Sequence, residues 1–193
     1  MVYRRRREHV WTEHAINHVE EALESSGLQQ RVPQPPAICF VDLTGYTRLT
    51  EERGDDAAAQ VAGRLVALVN DISRRRGGLP VRWLGDGGIF FREPGTAVVA
   101  GLDLVERGPA ADLPPAHVGI HTGPVISQDG DVYRRTVNLA ARIASYAQAG
   151  QVVVSQETAQ RSGDRQVRFD PLGAVELKGV AEPLALYQAY RKS

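Results

Sequence analysis

Two apolar runs, each stopping at an aspartate with glycine close behind, constrain this chain more than any other feature. The first is Phe40-Val41-Asp42-Leu43-Thr44-Gly45-Tyr46-Thr47 and the second is Leu84-Gly85-Asp86-Gly87. Short apolar runs bounded in this way read as buried strands, so each aspartate is expected where a strand ends. One aspartate beside a glycine more often serves a turn. Two such carboxylates on neighbouring strand ends form the minimal protein ligand set for the pair of hard divalent cations that phosphoryl transfer uses. The first run has a second property: Thr44-Gly45-Tyr46-Thr47 leads directly into a helical pattern, and the backbone N–H groups at such a helix start are available to a polyphosphate.

The rest of the chain supplies the frame for these strand ends. Residues 37–42 read as a strand, and Leu49, Val61, Leu65, Leu68, Val69 and Ile72 form the stripe of one long helix that Arg74-Arg75-Arg76-Gly77-Gly78 stops. Residues 81–84 and 89–91 flank an Asp-Gly turn with Asp86 at its tip. Helices are expected at 94–107 and 136–149, and strands at 116–121, 152–155, 167–169, 175–177 and 184–190. That order predicts an α+β fold of the ferredoxin-like kind, a mainly antiparallel sheet with helices covering one face.

Residues 1–36 read differently. Val10, Trp11, Ile16, Val19, Ala22 and Leu23 fall at helical spacing among charges, Ser25-Ser26-Gly27 ends the pattern, and Pro33, Pro35 and Pro36 enforce an extended connection. An N-terminal amphipathic helix and Pro-rich linker (1–36) is thus expected before the main unit (37–193). The helix either packs on its own domain or pairs with a second copy, and the sequence leaves both open. The arginines at 4–7 are expected to be the solvated start of that helix.

Composition excludes several roles. Twenty-three Lys and Arg balance 23 Asp and Glu, so no global field favours nucleic acid, and any anion site must be built from a few local groups. No apolar run reaches membrane-spanning length, so no membrane contact is expected within this segment. The single cysteine, Cys39, lies inside a strand-like run; it is expected to be buried and unreactive, and a reducing cytoplasm fits it. His121 ends a strand without a partner motif and is expected to be structural. Trp83, Phe90 and Phe91 read as core or interface rather than a base-stacking platform.

Three downstream residues complete a pattern. By spacing alone, Asn138 and Arg142 are a polar helix face, and Lys178 is a solvated loop lysine. Their contexts are Thr136-Val137-Asn138-Leu139-Ala140-Ala141-Arg142 and Leu177-Lys178-Gly179-Val180-Ala181-Glu182-Pro183. The ordered set F-x-D-x-x-G-[FY]-T, L-G-D-G, T-V-N-x-A-A-R and L-K-G-x-x-E-P resembles the catalytic domain of the class III nucleotidyl (adenylate/guanylate) cyclases of the bacterial type, over roughly residues 37–190.

The resemblance implies an adenylate cyclase that converts ATP to 3',5'-cyclic AMP and pyrophosphate. It implies two divalent cations, Mg2+ or Mn2+, held by Asp42, Asp86 and the Leu43 carbonyl, which activate the ribose 3'-hydroxyl for attack on the α-phosphate. Thr44, Gly45, Tyr46 and Thr47 would hold phosphates, Asn138 the ribose, and Lys178 the outer phosphates. Arg142 would meet the charge that grows on the α-phosphate, a task that suits an always-charged guanidinium. Counting from the motifs places Arg82 and Asp131 at the purine. Asp131 keeps the family's acceptor for the adenine amino group, whereas Arg82 stands where adenylate-forming relatives have lysine. Arg134 is a second departure, standing where many relatives have glycine, in a stretch (127–135) expected to be a loop. The resemblance also implies a homodimer with composite active sites, compatible with an upstream regulatory domain. Two rivals stay open: a nucleotide-binding regulatory module that has lost turnover, and a cyclase with relaxed purine specificity. A cyclic-dinucleotide enzyme of related fold lacks its G-G-[DE]-E-F turn here.

Overall fold

A computed structural model describes residues 35–82, 87–124, 131–163 and 166–192. The expected N-terminal helix, the arginines at 4–7, Trp83 and Asp86 lie outside the described residues. The elements, in chain order, are β1 (Ala37–Leu43), α1 (Tyr46–Arg76), β2 (Leu79–Arg82), β3 (Gly87–Phe91), α2 (Pro94–Arg107), β4 (Ala116–Thr122), α3 (Asp131–Tyr146), β5 (Val152–Ser155), α4 (Gln156–Arg161), β6 (Val167–Val175) and β7 (Leu184–Arg191), with a 3-10 turn at Pro109–Ala111.

The seven strands form one sheet in the order β2-β3-β1-β4-β5-β7-β6. Its first four strands, with α1 and α2, make the β-α-β-β-α-β unit of the ferredoxin-like layer. Every strand pair is antiparallel except β4 with β5, which run parallel. A parallel neighbour needs a crossover, and α3 provides it.

Alternation along the strands decides what each face packs against. Ala37, Cys39, Val41 and Leu43 of β1, with Ala116, Val118 and Ile120 of β4, join the large cluster under α1 and α2. Their neighbours Ile38 and Phe40 point the other way, into a smaller cluster with Val137, Ala140 and Ala144 of α3. Helices therefore lie on both faces, which corrects the expectation of one covered face. The α1/α2 side holds most of the fully buried large side chains, Ile72, Phe91, Leu104 and Ile120 among them. Each contributes about 1.5–3 kcal/mol of burial.

Helix α1 ends as its sequence dictates. Gly77 adopts φ 71°, its N–H bonds to the Ser73 carbonyl, and Arg74, Arg75 and Arg76 occupy the last turn, where cations oppose the helix dipole. Reading one continuous helix from Leu49 to Ile72 was deceptive, because Gly54 (φ 80°, ψ 174°), in the gap of the stripe between Leu49 and Val61, breaks the helix. The Tyr46 hydroxyl donates to the Ala58 carbonyl at 3.1 Å and ties the two segments together across the break.

Other boundaries differ from expectation too: β2 begins at Leu79 rather than 81 and β3 at Gly87 rather than 89, so Gly87 and Gly88 belong to a strand. Helix α3 starts at Asp131 rather than at 136 and ends at Tyr146. Asp131-Val132-Tyr133-Arg134-Arg135 contains no glycine or proline, and an acidic residue suits a helix start. Asp131 and Arg134 thus belong to a helix, not a loop. The strands expected at 167–169 and 175–177 are one edge strand, β6, whose register against β7 shifts between Pro171 and Gly173. An edge position tolerates the proline and the irregularity. Helix α4 was not anticipated; six residues are too few to show a periodic stripe.

Candidate active site

Asp42 stands one residue before the end of β1, with its side chain 44% exposed. The Leu43 N–H donates to its Oδ1 at 2.7 Å. Directly opposite in the β1–β4 register is His117, whose Nε2 lies 3.4 Å from Asp42 Oδ2 and whose Nδ1 lies 3.2 Å from Thr44 Oγ. Nothing in the sequence singled out His117. The signal was there only in pairing form, since a polar residue alternating with Ala116 and Val118 becomes a site residue once the register sets it across from Asp42.

The turn after Asp42 matches the expected entry into a helix. The Thr44 N–H bonds to the Pro115 carbonyl at 2.9 Å, and Gly45 takes φ 78°, a left-handed conformation that glycine adopts without strain. Tyr46 begins α1, and the Leu49 N–H returns to the Gly45 carbonyl. Amides of a first helical turn have no partner within the helix, so the turn directs N–H groups outward. Thr44 and Gly45 also border a cleft of about 390 Å³ that Arg48, Arg53, Arg64 and Leu113 help to line. Arg48 is within 3.6 Å of Glu52 and Arg64 within 3.5 Å of Asp112, so carboxylates offset part of that positive charge.

The β2–β3 hairpin closes at the same end of the sheet. Arg82 pairs with Gly87, and Gly87 pairs in turn with Val41, one residue before Asp42. Asp86 itself lies outside the described residues, as does the Asp-Gly turn expected there. Arg82 is the last residue of β2 and Asp131 the first of α3.

Asn138 and Arg142 sit one turn apart on α3, both half-buried. What fixes the height of that helix is Gly119 on β4. A Cβ there would lie 2.0 Å from the Ala144 nitrogen and 2.6 Å from the Ala140 carbonyl oxygen, so the helix backbone rests directly on the strand. The N-terminal half of α3 is fastened by Thr136, which is buried and donates to the Pro124 carbonyl at 2.9 Å. Lys178 is exposed, but the residue before it is anchored. Leu177 packs with Ile143 and Ala147 of α3 and with Val153 and Leu186, and a turn with Gly179 at φ 79° follows. Lys178 and Arg142 therefore flank one cluster.

The structure does not gather these residues at one point. Asp42, Thr44 and His117 form one group at the end of β1. Val137, beside Asn138, packs in the cluster that includes Ile38 and Phe40. Ile38 and Phe40 are four and two residues back along the strand from Asp42, on the order of 13 and 7 Å. Lys178 belongs to the cluster around β5 and β7. Among the described residues, no group of three or more His, Cys, Asp or Glu side chains could by itself hold a metal ion.

His121 lies on the same sheet face in a buried polar chain. Its Nδ1 is 2.9 Å from Ser155 Oγ, which is 3.2 Å from Thr158 Oγ1, itself 2.9 Å from Thr122 Oγ1. Burial pushes its pKa below the ordinary value; the Glu157 carboxylate opposes the shift and Arg135 adds to it. Cys39 is fully buried, and desolvation pushes its thiol up to about 12. Phe90 and Phe91 are buried on opposite faces of β3, in the clusters of α3 and of α1/α2 respectively.

Comparison with known proteins accords with this geometry. The family model described as "Adenylate and Guanylate cyclase catalytic domain" matches residues 115–189. The chain is 30% identical over 154 residues to an adenylate cyclase of Streptomyces coelicolor, covering 79% of this chain and 40% of that protein. It is likewise 30% identical over 148 residues to an adenylate cyclase of Streptomyces griseus, covering 76% of this chain and 37% of that protein. It therefore spans about 40% of the length of these relatives. Among solved structures, the adenylyl cyclase CyaB from P. aeruginosa superposes with a TM-score of 0.71 at 22% identity, covering 83% of this chain and 95% of that one. With its ordered motifs and its sheet order, the chain belongs to the family of class III nucleotidyl cyclase catalytic domains.

Proposed function

We propose that this domain is an adenylate cyclase whose active sites are completed across a homodimer. The observation that carries the reading is the Asp42–Gly45 junction, a half-exposed carboxylate at a strand end followed by a left-handed glycine and an open helix start. Asp42 suits a hard cation: it is an oxygen ligand, and one contact on each oxygen leaves lone pairs to spare. Asp86 would be the second carboxylate, one residue before the start of β3, and the Leu43 carbonyl a third oxygen. Mg2+ or Mn2+ bound there would supply Lewis acidity and make the 3'-hydroxyl a better nucleophile.

The chain's own residues would do the rest. The N–H groups of the Thr44–Thr47 turn would cradle phosphate oxygens, with Lys178 on the outer phosphates. Asn138 would hold the ribose, so that the 3'-oxygen faces the α-phosphorus in line with the departing pyrophosphate. Arg142 would stabilise the charge that accumulates on the α-phosphate oxygens. Asp131 would accept from the adenine amino group while Arg82 donates to a ring nitrogen.

The separation of Asp42 from Asn138 supports a site shared between two chains, since a nucleotide held by one chain's aspartates would meet its partner's α3. Two relatives carrying the name adenylate cyclase favour ATP, whereas Arg82 keeps relaxed purine choice as the alternative. No helix among the described residues is long and apolar enough to cross a membrane, and a cytoplasmic location fits a reaction that consumes ATP.

Product analysis after incubation with ATP or GTP and Mn2+ tests the reading. Cyclic AMP from ATP is the expected outcome; cyclic GMP alone would reassign the substrate, and no cyclic product from either would leave a binding module. Mixing Asp42→Ala chains with Arg142→Ala chains, the first inactive and the second strongly impaired alone, tests the geometry. Heterodimers rebuild one complete site, so activity should return, and continued silence despite subunit exchange would sink the shared site.

A further inference from the structure

We propose that His117 is a positioning residue that fixes the Asp42 carboxylate for its cation and couples it, through one imidazole ring, to the phosphate turn at Thr44. The inference rests on the reading of Asp42 as a metal ligand given above.

The geometry is specific. Antiparallel register sets Asp42 and His117 directly opposite each other, the closest relation two strands offer. The His117 side chain is only 12% exposed, whereas the carboxylate it meets is 44% exposed. The ring thus has little freedom, and Asp42 presents its outer side to solvent. Oδ1 takes the Leu43 N–H at 2.7 Å, and Oδ2 faces Nε2 at 3.4 Å, a polar contact longer than an ordinary hydrogen bond. With one contact on each oxygen, rotation of the carboxylate is restrained before any cation arrives.

A neutral imidazole carries a single N–H. A carboxylate can only accept, so that proton belongs on Nε2, and Nδ1 is left as the acceptor for the Thr44 hydroxyl at 3.2 Å. The Asp42 carboxylate thereby sets the tautomer, and the Thr44 hydroxyl, which can donate or accept, follows it and holds the far side of the ring. The backbone of Thr44 is held separately by the Pro115 carbonyl, so the hydroxyl is free to serve this link. Both ring nitrogens are engaged, which is the arrangement of a group that orients a ligand rather than one that binds metal itself.

The test uses the whole chain with Mn2+ and an ATP analogue lacking the 3'-hydroxyl, and reads free Mn2+ by electron paramagnetic resonance. His117→Phe keeps the bulk and removes both nitrogens; it should weaken Mn2+ binding about tenfold, the lower end for loss of a group that orients a metal ligand. His117→Gln keeps an N–H near the place of Nε2 and should restore most of the affinity. Thr44→Val should weaken binding less than His117→Phe. The double variant should be no weaker than His117→Phe alone, because Thr44 acts through the ring. Thermal midpoints of the metal-free variants verify that each is folded, and His117→Ala replaces the phenylalanine variant if that one is not. Wild-type Mn2+ affinity in His117→Phe, or fully additive losses in the double variant, would overturn the proposal. Wild-type affinity in Asp42→Ala would instead remove the metal assignment of Asp42, and the role of His117 with it.

Discussion

The two faces of the sheet are made by the same strands and follow different rules. On β4, Ala116, Val118 and Ile120 point towards α1 and α2 and vanish into one continuous apolar cluster. The alternate positions are His117, Gly119 and His121. They meet a carboxylate, a helix backbone and a buried hydroxyl chain respectively. The apolar packing on this second face is split into two smaller clusters that α3 bridges. One face stores stability, while the other spends its positions on placing α3 and on polar contacts around Asp42. A strand with period two can serve both ends because adjacent residues never share a face.

That division makes the largest expected effect a loss of activity without a loss of fold. Arg142→Ala should lower turnover about 100-fold, close to 3 kcal/mol of transition-state stabilisation, and leave the thermal midpoint nearly unchanged. Arg142 is only half-buried, and its neighbour Ile143 carries the packing. Initial rates beside a melting curve decide it. A parallel fall in both would mean that Arg142 holds α3 down and that the faces are not separable.

Ile120→Ala probes the opposite face and should do the reverse. Ile120 is fully buried in the large cluster. Its truncation should cost about 2–5 kcal/mol in urea unfolding, through lost transfer energy and the cavity left behind. Turnover per folded molecule should stay near wild type. A tenfold drop in that corrected rate would show that the core face transmits to the site.

Gly119→Ala should cross the divide. Its methyl would meet backbone atoms of α3, which cannot swing aside as a side-chain tip can. Either the helix lifts or the strand bends, costing about 1–3 kcal/mol as overpacking does. Because Asn138 and Arg142 ride on that helix, turnover should fall by more than the unfolded fraction explains. Reduced stability with unchanged turnover would mean that α3 shifts without carrying the site along.

How much of this could be seen in the sequence follows the same line. The core face was legible, since the strands at β1, β4 and β5 and the helix α2 stand in runs whose apolar content gives their type and nearly their ends. The Asp42 junction was legible too, because the aspartate, the glycine and the helix pattern are contiguous. What escaped depends on contacts between distant residues. His117 acquires meaning only through register with Asp42, and Gly119 only through the approach of Ala144. Gly54 falls in the gap of the stripe between Leu49 and Val61, and the break went unread because a helical period carried across a gap does not report a single residue at positive φ. The early start of α3 was missed because Asp131 to Arg135 is polar, and a polar first turn resembles a loop.

The smallest expected effect concerns His121, and it separates the polar groups of the α3 face by job. Burial lowers the folded-state pKa of His121 below its unfolded value, with Glu157 opposing and Arg135 assisting. The unfolded chain therefore binds a proton more readily than the folded one. Stability tied to the neutral ring is fully present above the unfolded pKa, near 6.5, and drains away as pH falls from there towards the folded value. Urea midpoints measured from pH 8 down to pH 5 should fall in the wild type over that window. In His121→Gln, which can still hydrogen-bond to Ser155 but cannot titrate, that part of the slope should be missing. Turnover of His121→Gln at pH 8 should match wild type, since the ring bonds to Ser155 and lies at the far end of β4 from Asp42. An unchanged pH slope would mean that other groups govern acid sensitivity. A loss of turnover at pH 8 would move His121 from the scaffold of α3 into the working site, and the separation of roles along β4 would have to be redrawn.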